Sequence, residues 1–371
     1  MLKDTEFIKI ILYFYKIMSQ NIKYCIGLMS GTSLDGVDIC YIQFKTSDTY
    51  QYKILKAETF PYSKTWKTTL QNAFTANTAT LESLNIKYGL YLGKLITEFI
   101  TKNKISKLDF IASHGHTIFH KPNEGYTLQI GNGQSIADST KQKVVYDFRT
   151  QDVKLGGQGA PLVPIGDELL FNNYAYCLNL GGFVNVSFKE NKERIAFDIC
   201  PVNIVLNHYI QKLGLDFDDK GNLASSGLIN QELLTALNTL DYYQLPHPKS
   251  LGYEWVDKVI IPLIDSRNLE IKDILKTFTE HVALQISKVI PKKSHILVTG
   301  GGVFNTFLMD RIGHHLEQKI PIPTNELIDF KEALIFAFLG LLKLEGRNNV
   351  LSSVTGASKD HSSGKICKPN I

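Results

Sequence analysis

Hydrophobic and polar positions along the chain predict an alternation of strands and helices. Residues 23–29 form an apolar run that is typical of a buried strand, and residues 37–44 alternate as a strand with one face in solvent does. A polar stretch containing two glycines separates these runs. The first predicted unit is therefore a strand, a turn and a second strand.

The same signals recur further along the chain. Apolar residues at helical spacing predict helices over residues 80–104, 134–140, 204–213, 230–237, 274–290 and 332–342. Short apolar runs between turn residues predict strands over residues 110–113, 126–130, 176–179, 184–188 and 295–299. A second strand–turn–strand unit thus begins at residue 176, with residues 180–183 as its turn.

The repeated hairpin opening predicts two domains in an α/β fold of mixed sheets covered by helices. We expect an N-terminal extension of residues 1–20, a domain I of residues 21–145 and a domain II of residues 146–371. The polar tail after Gly356 is expected to be loose. A cleft between the domains is the expected ligand site.

Composition and charge exclude several classes of protein. The 40 basic and 36 acidic residues give a net charge of +4 without a basic stripe, which argues against nucleic acid as a partner. Five widely spaced cysteines without a C-x-x-C pair favour a reducing compartment, and hence the cytoplasm. The apolar stretch at residues 7–17 contains lysines and is too short to span a bilayer, so we expect no membrane association.

The turn between the first two strands has the composition of a phosphate-binding loop. Glycines and small hydroxyl residues let backbone N–H groups approach an anion, and aspartates suit Mg²⁺. An ordinary hairpin turn has the same composition and remains the alternative. The residues are Gly31, Thr32, Ser33, Leu34, Asp35, Gly36, Val37 and Asp38.

Two polar segments in the middle of the chain each allow two interpretations. Residues 113–120 contain three histidines, and a hydrogen-bonded loop is favoured there over a metal site because adjacent side chains point to different faces. Residues 147–152 and 156–161 combine an arginine, two carboxylates and a Gly-rich loop. Such a set binds polar sugars and carboxylates, but a solvated linker would look the same.

Two later segments carry further candidate chemistry. Asp198 leaves a predicted strand end just before a helix, where it could serve as a general base or simply cap the helix. The glycines at 300–302, followed by Asn305, would let a nucleotide approach the backbone, although a tight strand-to-helix turn explains them equally.

Taken in order, these segments resemble the anhydro-N-acetylmuramic acid kinase family of the actin-like ATPase and sugar kinase superfamily. The resemblance runs from about Ile26 to Ala357, and its motifs are the stretches 27–38, 113–115, 147–149, 156–164, 179–183 and 299–302. It implies a two-lobed, actin-like fold of duplicated ribonuclease H-like domains with a central nucleotide and sugar cleft. It also implies ATP- and Mg²⁺-dependent conversion of 1,6-anhydro-N-acetylmuramic acid to N-acetylmuramic acid 6-phosphate, a step in recycling peptidoglycan amino sugars.

The resemblance further implies roles for individual residues. Asp198 would be the catalytic base and Glu332 a second catalytic carboxylate, although a glutamate at a helix start is also expected from the helix dipole. Asp35 would bind the metal. The remaining implied contacts are, for the nucleotide, residues 31–38 with Gly181, Gly182, Gly300, Gly301, Gly302 and Asn305, and for the sugar, His114, Arg149, Asp152, Gly159, Ala160 and Pro161.

One departure and two alternatives accompany this resemblance. Cys200 stands where the family motif F-D-x-G-P-x-N has glycine, and a side chain there is expected to affect rate and affinity more than reaction type. The alternatives are a kinase for another small sugar and a non-enzymatic actin-like ATP switch. Partners are expected to be ATP and the anhydro-amino sugar, with a homodimer as one possible assembly.

Overall fold

The structure is a computed structural model that describes residues 21–31 and 34–370. The expected N-terminal extension and the loop residues Thr32 and Ser33 lie outside the described residues. None of the helices in the described ranges is long and apolar enough to cross a membrane.

The strands and helices alternate along most of the chain. The strands are β1 (Asn21–Ser30), β2 (Gly36–Thr46), β3 (Tyr50–Pro61), β4 (Phe110–Lys121), β5 (Tyr126–Ile130), β6 (Val144–Tyr146), β7 (Tyr176–Leu180), β8 (Phe183–Glu190), β9 (Glu193–Pro201), β10 (Ile296–Thr299) and β11 (Lys365–Cys367). The α-helices are α1 (Lys64–Asn72), α2 (Thr78–Lys102), α3 (Gly133–Thr140), α4 (Thr150–Lys154), α5 (Pro164–Leu170), α6 (Asn203–Gln211), α7 (Asn222–Ser226), α8 (Gln231–Asn238), α9 (Tyr253–Trp255), α10 (Ile261–Asp265), α11 (Ile271–Val289), α12 (Thr306–His315), α13 (Asn325–Leu344) and α14 (Ser352–Thr355).

The chain divides into two compact units. Unit 1 consists of the residues up to Leu170 together with Phe330–Ile371, and unit 2 consists of Phe171–Asp329. The sequence suggested a boundary after residue 145, whereas β6 at that point pairs with β4, and β11 returns to pair with β6. The end of the chain thereby completes the sheet that its beginning starts.

Unit 1 is built on a mixed sheet with the order β11–β6–β4–β1–β2–β3, to which β5 adds by pairing with β4. The β1–β2 and β2–β3 pairs are antiparallel, while β1–β4 and β4–β6 are parallel. Helix α2 buries Tyr88, Leu92 and Ile96 in the core formed with this sheet. Its first turn is capped by Asn77, whose side chain accepts a hydrogen bond from the Thr80 N–H (2.9 Å).

The part of helix α13 from Phe330 onward belongs to the core of unit 1, where glycines allow a close approach. A Cβ on Gly27 of β1 would lie 2.0 Å from the Ala333 carbonyl oxygen, and one on Gly340 would lie 2.8 Å from Ala112 Cβ on β4. Both positions therefore require glycine for the helix to lie against the strands. The helix is nearly all apolar between residues 333 and 342 because its surroundings are protein.

Unit 2 has a smaller sheet in the order β10–β7–β8–β9. Strands β7, β8 and β9 form an antiparallel meander, and β10 runs parallel to β7. Helix α11 contributes Phe278, Val282 and Ile286 to the core of this unit. The strands and helices predicted for this region are confirmed. The sequence did not predict helices α7, α9, α10 and α12, and it indicated β9 only at its end.

Two expectations about the first unit need correction. Strand β3 was missed because it is an edge strand with a polar, half-exposed sequence rather than a strict alternation. The expectation of a loose tail after Gly356 was wrong. Residues of this tail make side-chain hydrogen bonds to Phe148 and Asp138, which an apolar pattern does not reveal.

Candidate active site

The two ends of the first loop are fixed by a buried polar network in unit 1. The Ser30 hydroxyl, at the end of β1, shares hydrogen bonds with the Tyr62 hydroxyl (2.6 Å) and with His116 Nδ1 (2.8 Å). The Tyr62 hydroxyl also bonds the Tyr88 hydroxyl, and the Tyr62 backbone N–H donates to the Asp35 carbonyl (3.2 Å). Tyr62 therefore contacts both ends of the loop. Burial also lowers the pKa of His116, another member of this network, to about 4.

The residues of the predicted phosphate loop have different surroundings. Leu34 adopts a left-handed conformation with φ of 60°, which turns the chain near Gly31. Gly36 is already in β2, where a Cβ would lie 2.4 Å from the Phe60 carbonyl oxygen, and Val37 is fully buried in the core. These last two positions support the strand pairing, whereas the described loop residues Gly31, Leu34 and Asp35 are accessible to solvent.

Two aspartates belong to the predicted phosphate loop. The Asp35 side chain is exposed, and Asp38 accepts a hydrogen bond from the Thr59 hydroxyl (2.6 Å). No group of three His, Cys, Asp or Glu side chains suited to a metal ion occurs in the described residues. Mg²⁺ needs only one or two protein carboxylates when phosphate oxygens complete its shell, and the exposed carboxylate of Asp35 fits that requirement.

Arg149 lies at the centre of a second group of residues in unit 1. Its Nε donates to His114 Nε2 (2.9 Å) and its Nη1 donates to the Gly159 carbonyl (2.7 Å). Because Nε2 of His114 is the acceptor, the ring proton is on Nδ1, which donates to the Gly115 carbonyl (3.0 Å). Nη2 of Arg149 has no hydrogen-bond partner among the described residues and remains available for an anionic ligand.

Burial and nearby charges set the protonation states of His114 and Arg149. Burial and the Arg149 charge hold the pKa of His114 well below its usual value, so His114 is neutral. Partial removal from water lowers the pKa of Arg149 to about 10, a shift opposed by Glu332 and Asp152. The guanidinium is thus charged at neutral pH and oriented by a neutral histidine on β4.

The other histidines of this segment have structural partners. The hydrogen-bonded loop favoured from the sequence is instead part of β4, which continues to Lys121. His116 bonds Ser30, as described above, and His120 Nδ1 bonds the Thr127 hydroxyl (3.2 Å). Of the three, His114 contacts the candidate site through Arg149.

Asp152 is a buried carboxylate that accepts hydrogen bonds from residues near Arg149. The carboxylate is fully buried, accepting hydrogen bonds from the Gly159 N–H (2.6 Å, Oδ2) and from the Thr355 hydroxyl (2.7 Å, Oδ1). The sequence suggested a sugar contact for this residue, but its oxygens bind the protein. Within the same loop, Ala160 is half-buried and Pro161 is exposed, so these two can face a ligand.

Glu332 lies on helix α13 in unit 1. The helix begins at Asn325, so Glu332 is in its interior and the dipole explanation for this glutamate is wrong. Its side chain contacts solvent and has no hydrogen-bond partner among the described residues. The surrounding protein raises its pKa, opposed by Arg149 and reinforced by Asp38.

In unit 2, Asp198 is held by the segment at residues 242–251. Its Oδ2 accepts a hydrogen bond from the Leu251 N–H (2.9 Å), its carbonyl accepts from the Tyr242 hydroxyl (2.6 Å), and its N–H donates to the Lys249 carbonyl (3.2 Å). Burial raises the pKa of Asp198, and the bond from Leu251 opposes the shift. A carboxylate with one fixed oxygen and a raised pKa suits a general base.

The backbone around Asp198 excludes the helix-capping alternative. Asp198 is inside β9, and the residue that precedes helix α6 is Val202. The register between β8 and β9 shifts at Ile199, an extra residue next to Asp198. A β-bulge of this kind re-aims the neighbouring side chain, and bulges are frequent beside active sites.

Cys200 fits its position without strain. It is fully buried and does not have a positive φ, so the backbone there does not require glycine. Burial, together with the Asp198 charge, raises the pKa of its thiol, which is therefore neutral. The departure from the family motif thus fills space in the core of unit 2.

The two glycine turns of unit 2 lie against each other. Gly300 has φ of 87°, and a Cβ there would lie 2.6 Å from Asn179 Oδ1, while one on Gly302 would lie 2.7 Å from Leu180 Cβ. Asn203 fixes the other turn, because its Nδ2 donates to the carbonyls of Leu180 (3.1 Å) and Gly181 (2.7 Å). The structure therefore brings together two turns that are 120 residues apart.

Two glycines of these turns have open space beside them and lie on the accessible side. A Cβ on Gly301 would meet no atom within 4 Å, and one on Gly182 would meet only Ile204 Cβ at 3.9 Å. Asn305 instead caps helix α12, its side chain accepting from the Leu308 N–H (3.0 Å). Its side-chain oxygen is thus committed to the helix.

Comparison with known proteins identifies the family. Residues 23–369 match the model of the anhydro-N-acetylmuramic acid kinase family. The chain belongs to this family. The resemblance drawn from the ordered motifs is therefore confirmed, and with it the actin-like α/β fold class of that family.

Several relatives match the chain over nearly its full length. The anhydro-N-acetylmuramic acid kinase of Pasteurella multocida is 36% identical, covering 94% of this chain and 98% of its own. Those of Francisella tularensis subsp. novicida and Zymomonas mobilis are each 33% identical, covering 93% and 92% of this chain and 98% of their own. Among solved structures, the activator of 2-hydroxyisocaproyl-CoA dehydratase from Clostridium difficile has a TM-score of 0.41 at 13% identity, covering 87% of this chain and 97% of its own.

Several residues around the family motifs were not found from the sequence. Tyr62 behind the first loop, Leu251 on Asp198 and Thr355 on Asp152 each contact their partners from 32 to 203 positions away. Single tyrosines, leucines and threonines have no local pattern that marks such contacts. The only sequence signal for Leu251 and Thr355 is the composition of their neighbourhood, since residues 247–252 and 352–358 are mostly polar or small and each contain one glycine.

Proposed function

We propose that this chain uses ATP to convert 1,6-anhydro-N-acetylmuramic acid into N-acetylmuramic acid 6-phosphate during the recycling of peptidoglycan amino sugars. The proposal rests on family membership, and the observation that carries its chemistry is Asp198. This carboxylate has one oxygen fixed by the Leu251 N–H and a raised pKa, as a base that activates water requires.

The reaction joins a hydrolysis to a phosphoryl transfer. Asp198 takes a proton from water as the water oxygen bonds to the anomeric carbon, and the bond from that carbon to the sugar 6-oxygen breaks. The 6-oxygen bonds to the γ-phosphorus of ATP, and the bond to the β–γ bridging oxygen breaks to release ADP. The proton on Asp198 then returns to solvent.

Arg149 is proposed to bind the sugar. The substrate carries a lactyl carboxylate, and a guanidinium whose Nη2 is available matches an anionic oxygen in charge and geometry. His114 and Gly159 orient the guanidinium through Nε and Nη1, and Ala160 and Pro161 supply the adjoining surface. Glu332, with a raised pKa and contact with solvent, is proposed as a second carboxylate that can exchange a proton during turnover.

Two segments, each within one unit, are proposed as nucleotide contacts: the loop at residues 31–35 in unit 1, and the open glycines Gly182 and Gly301 in unit 2. Backbone N–H groups without side chains beside them suit phosphate oxygens. Asp35 would hold Mg²⁺, which supplies charge neutralisation on the phosphates when bound. The protein is proposed to act in the cytoplasm, and a homodimer stays a prediction.

The test is a product assay by mass spectrometry. With ATP, Mg²⁺ and the anhydro sugar, we expect a product heavier than the substrate by one phosphoryl group and one water. N-Acetylmuramic acid, N-acetylglucosamine and glucose serve as competing acceptors. Faster phosphorylation of one of these would favour a kinase for another sugar, and ATP-dependent assembly without any product would favour an ATP switch.

A further inference from the structure

The C-terminal segment, residues 349–370, is hydrogen-bonded to residues 147–161, which form the Arg149 loop. The Ser363 hydroxyl donates to the Phe148 carbonyl (2.7 Å), and the Lys365 ammonium lies 2.8 Å from an Asp147 carboxylate oxygen. Further along the loop, the Gln158 N–H donates to the Thr355 carbonyl (2.7 Å). The contacts therefore cover both ends of the loop, and all of them lie within unit 1.

One of these contacts reaches Arg149 through an unbroken series of hydrogen bonds. The Thr355 hydroxyl donates to Asp152 Oδ1, and Asp152 Oδ2 accepts from the Gly159 N–H. The Gly159 carbonyl then accepts from Arg149 Nη1, and Arg149 Nε donates to His114. The position of the guanidinium thus depends on a threonine that is 206 residues later in the chain.

Because the residues of this series are buried, losing one of its hydrogen bonds is costly. Asp152 is fully buried and Thr355 is 1% exposed, so water cannot replace the hydroxyl if it is removed. A buried carboxylate that loses a hydrogen-bond donor must find another partner or move. A titratable group also lies beside Asp152: His361 Nε2 is 3.6 Å from Asp152 Oδ1 and has no hydrogen-bond partner among the described residues.

We infer that Thr355, and with it the C-terminal segment, is a positioning residue for Arg149 in the proposed sugar site. The inference rests on the proposed function for the ligand it names, but the geometry of the series is independent of that function. Thr355 itself does not touch the substrate. Its hydroxyl sets the Asp152 carboxylate, which sets Gly159 and hence the guanidinium.

The test compares Thr355→Val, which removes the hydroxyl at nearly constant volume, with Thr355→Ser, which retains it. We expect Thr355→Val to raise the KM for the anhydro sugar about tenfold, as the loss of one hydrogen bond to a charged group implies, with the KM for ATP unchanged. Thr355→Ser should restore the wild-type KM. The matched control is Thr235→Val at an exposed position of helix α8, which should change neither constant.

A second measurement covers the case in which the valine variant folds poorly or the wild-type chain does not phosphorylate this sugar. Amide hydrogen exchange of peptides from residues 147–161 should be faster in Thr355→Val than in wild type and Thr235→Val, with peptides of β7 and β8 unchanged. Ser363→Ala, which leaves Asp152 with its donor, should accelerate exchange at residues 147–149 first. Unchanged exchange in Thr355→Val, or an equal rise in both KM values, would overturn the inference, whereas wild type without sugar turnover would overturn the proposed function alone.

Discussion

Among single residues, Asp198 is the most important for the proposed reaction. Its carboxylate is held on one side by the Leu251 N–H, and its pKa is raised by burial. The candidate carboxylates of unit 1 differ: both oxygens of Asp152 bind protein groups, and Glu332 contacts solvent. Asp198 is therefore the carboxylate best suited to activate a water molecule.

Replacing Asp198 by asparagine should remove the base and preserve the shape of the site. We expect turnover to fall by roughly 10²- to 10⁴-fold, the usual contribution of a general base, with ATP binding retained. Steady-state kinetics and nucleotide titration measure the two quantities. The matched control is Asp310→Asn on the exposed face of α12, which should have wild-type turnover. Near-normal turnover in Asp198→Asn would move the base to another residue.

The raised pKa of Asp198 also predicts the pH dependence of kcat/KM. A base works only when deprotonated, so activity is lost as the pH falls through the pKa of the folded enzyme. Because burial raises that pKa, the loss should begin at a higher pH than an ordinary aspartate with a pKa of about 3.9 would give. The residual activity of Asp198→Asn should lack this acidic limb.

The residue scale also shows what the sequence could and could not reveal. Asp198 and Arg149 are in ordered motifs, so the resemblance identified them as candidates. Asp152 lies between two of the motifs, and one of its carboxylate oxygens accepts a hydrogen bond from Thr355, which is 203 positions away. A sequence pattern registers which residue types are near each other along the chain, but the partner that withdraws a carboxylate from a ligand is set by the fold.

At the scale of elements, Tyr62 joins the first loop to the core of unit 1. It follows β3, the strand that the sequence did not reveal, and its hydroxyl bonds Ser30 at one side of the loop. Its backbone N–H bonds the Asp35 carbonyl at the other side. An edge strand with a polar sequence therefore has a direct influence on the proposed phosphate site.

Replacing Tyr62 by phenylalanine should loosen this loop. The buried Ser30 and Tyr88 hydroxyls each lose a partner, so we expect a loss of about 1–3 kcal/mol in the free energy of unfolding. The KM for ATP should rise about threefold to tenfold while the KM for the sugar is unchanged. Denaturant melts and kinetics test this, with the exposed Tyr126→Phe as control. An unchanged KM for ATP in a destabilised protein would limit Tyr62 to a structural role.

At the scale of the whole molecule, the chain order differs from the simple succession of two domains. The end of the chain adds β11 to the sheet that β1 begins, and it holds the Arg149 loop on the way. Strand and helix periodicity predicted most elements because those elements bury regular apolar faces. The return of the tail depends on side-chain hydrogen bonds and a three-residue strand, which leave no periodic signal.

In the proposed reaction, water opens the anhydro bridge in the same reaction that transfers the phosphoryl group. This coupling is tested by running the reaction in heavy-oxygen water and locating the label by tandem mass spectrometry. Unlabelled N-acetylmuramic acid 6-phosphate incubated with the enzyme for the same time corrects for exchange at the anomeric carbon. We expect one heavy oxygen on the anomeric carbon and none in the phosphoryl group. A product labelled no more than the exchange control would show that water does not open the bridge.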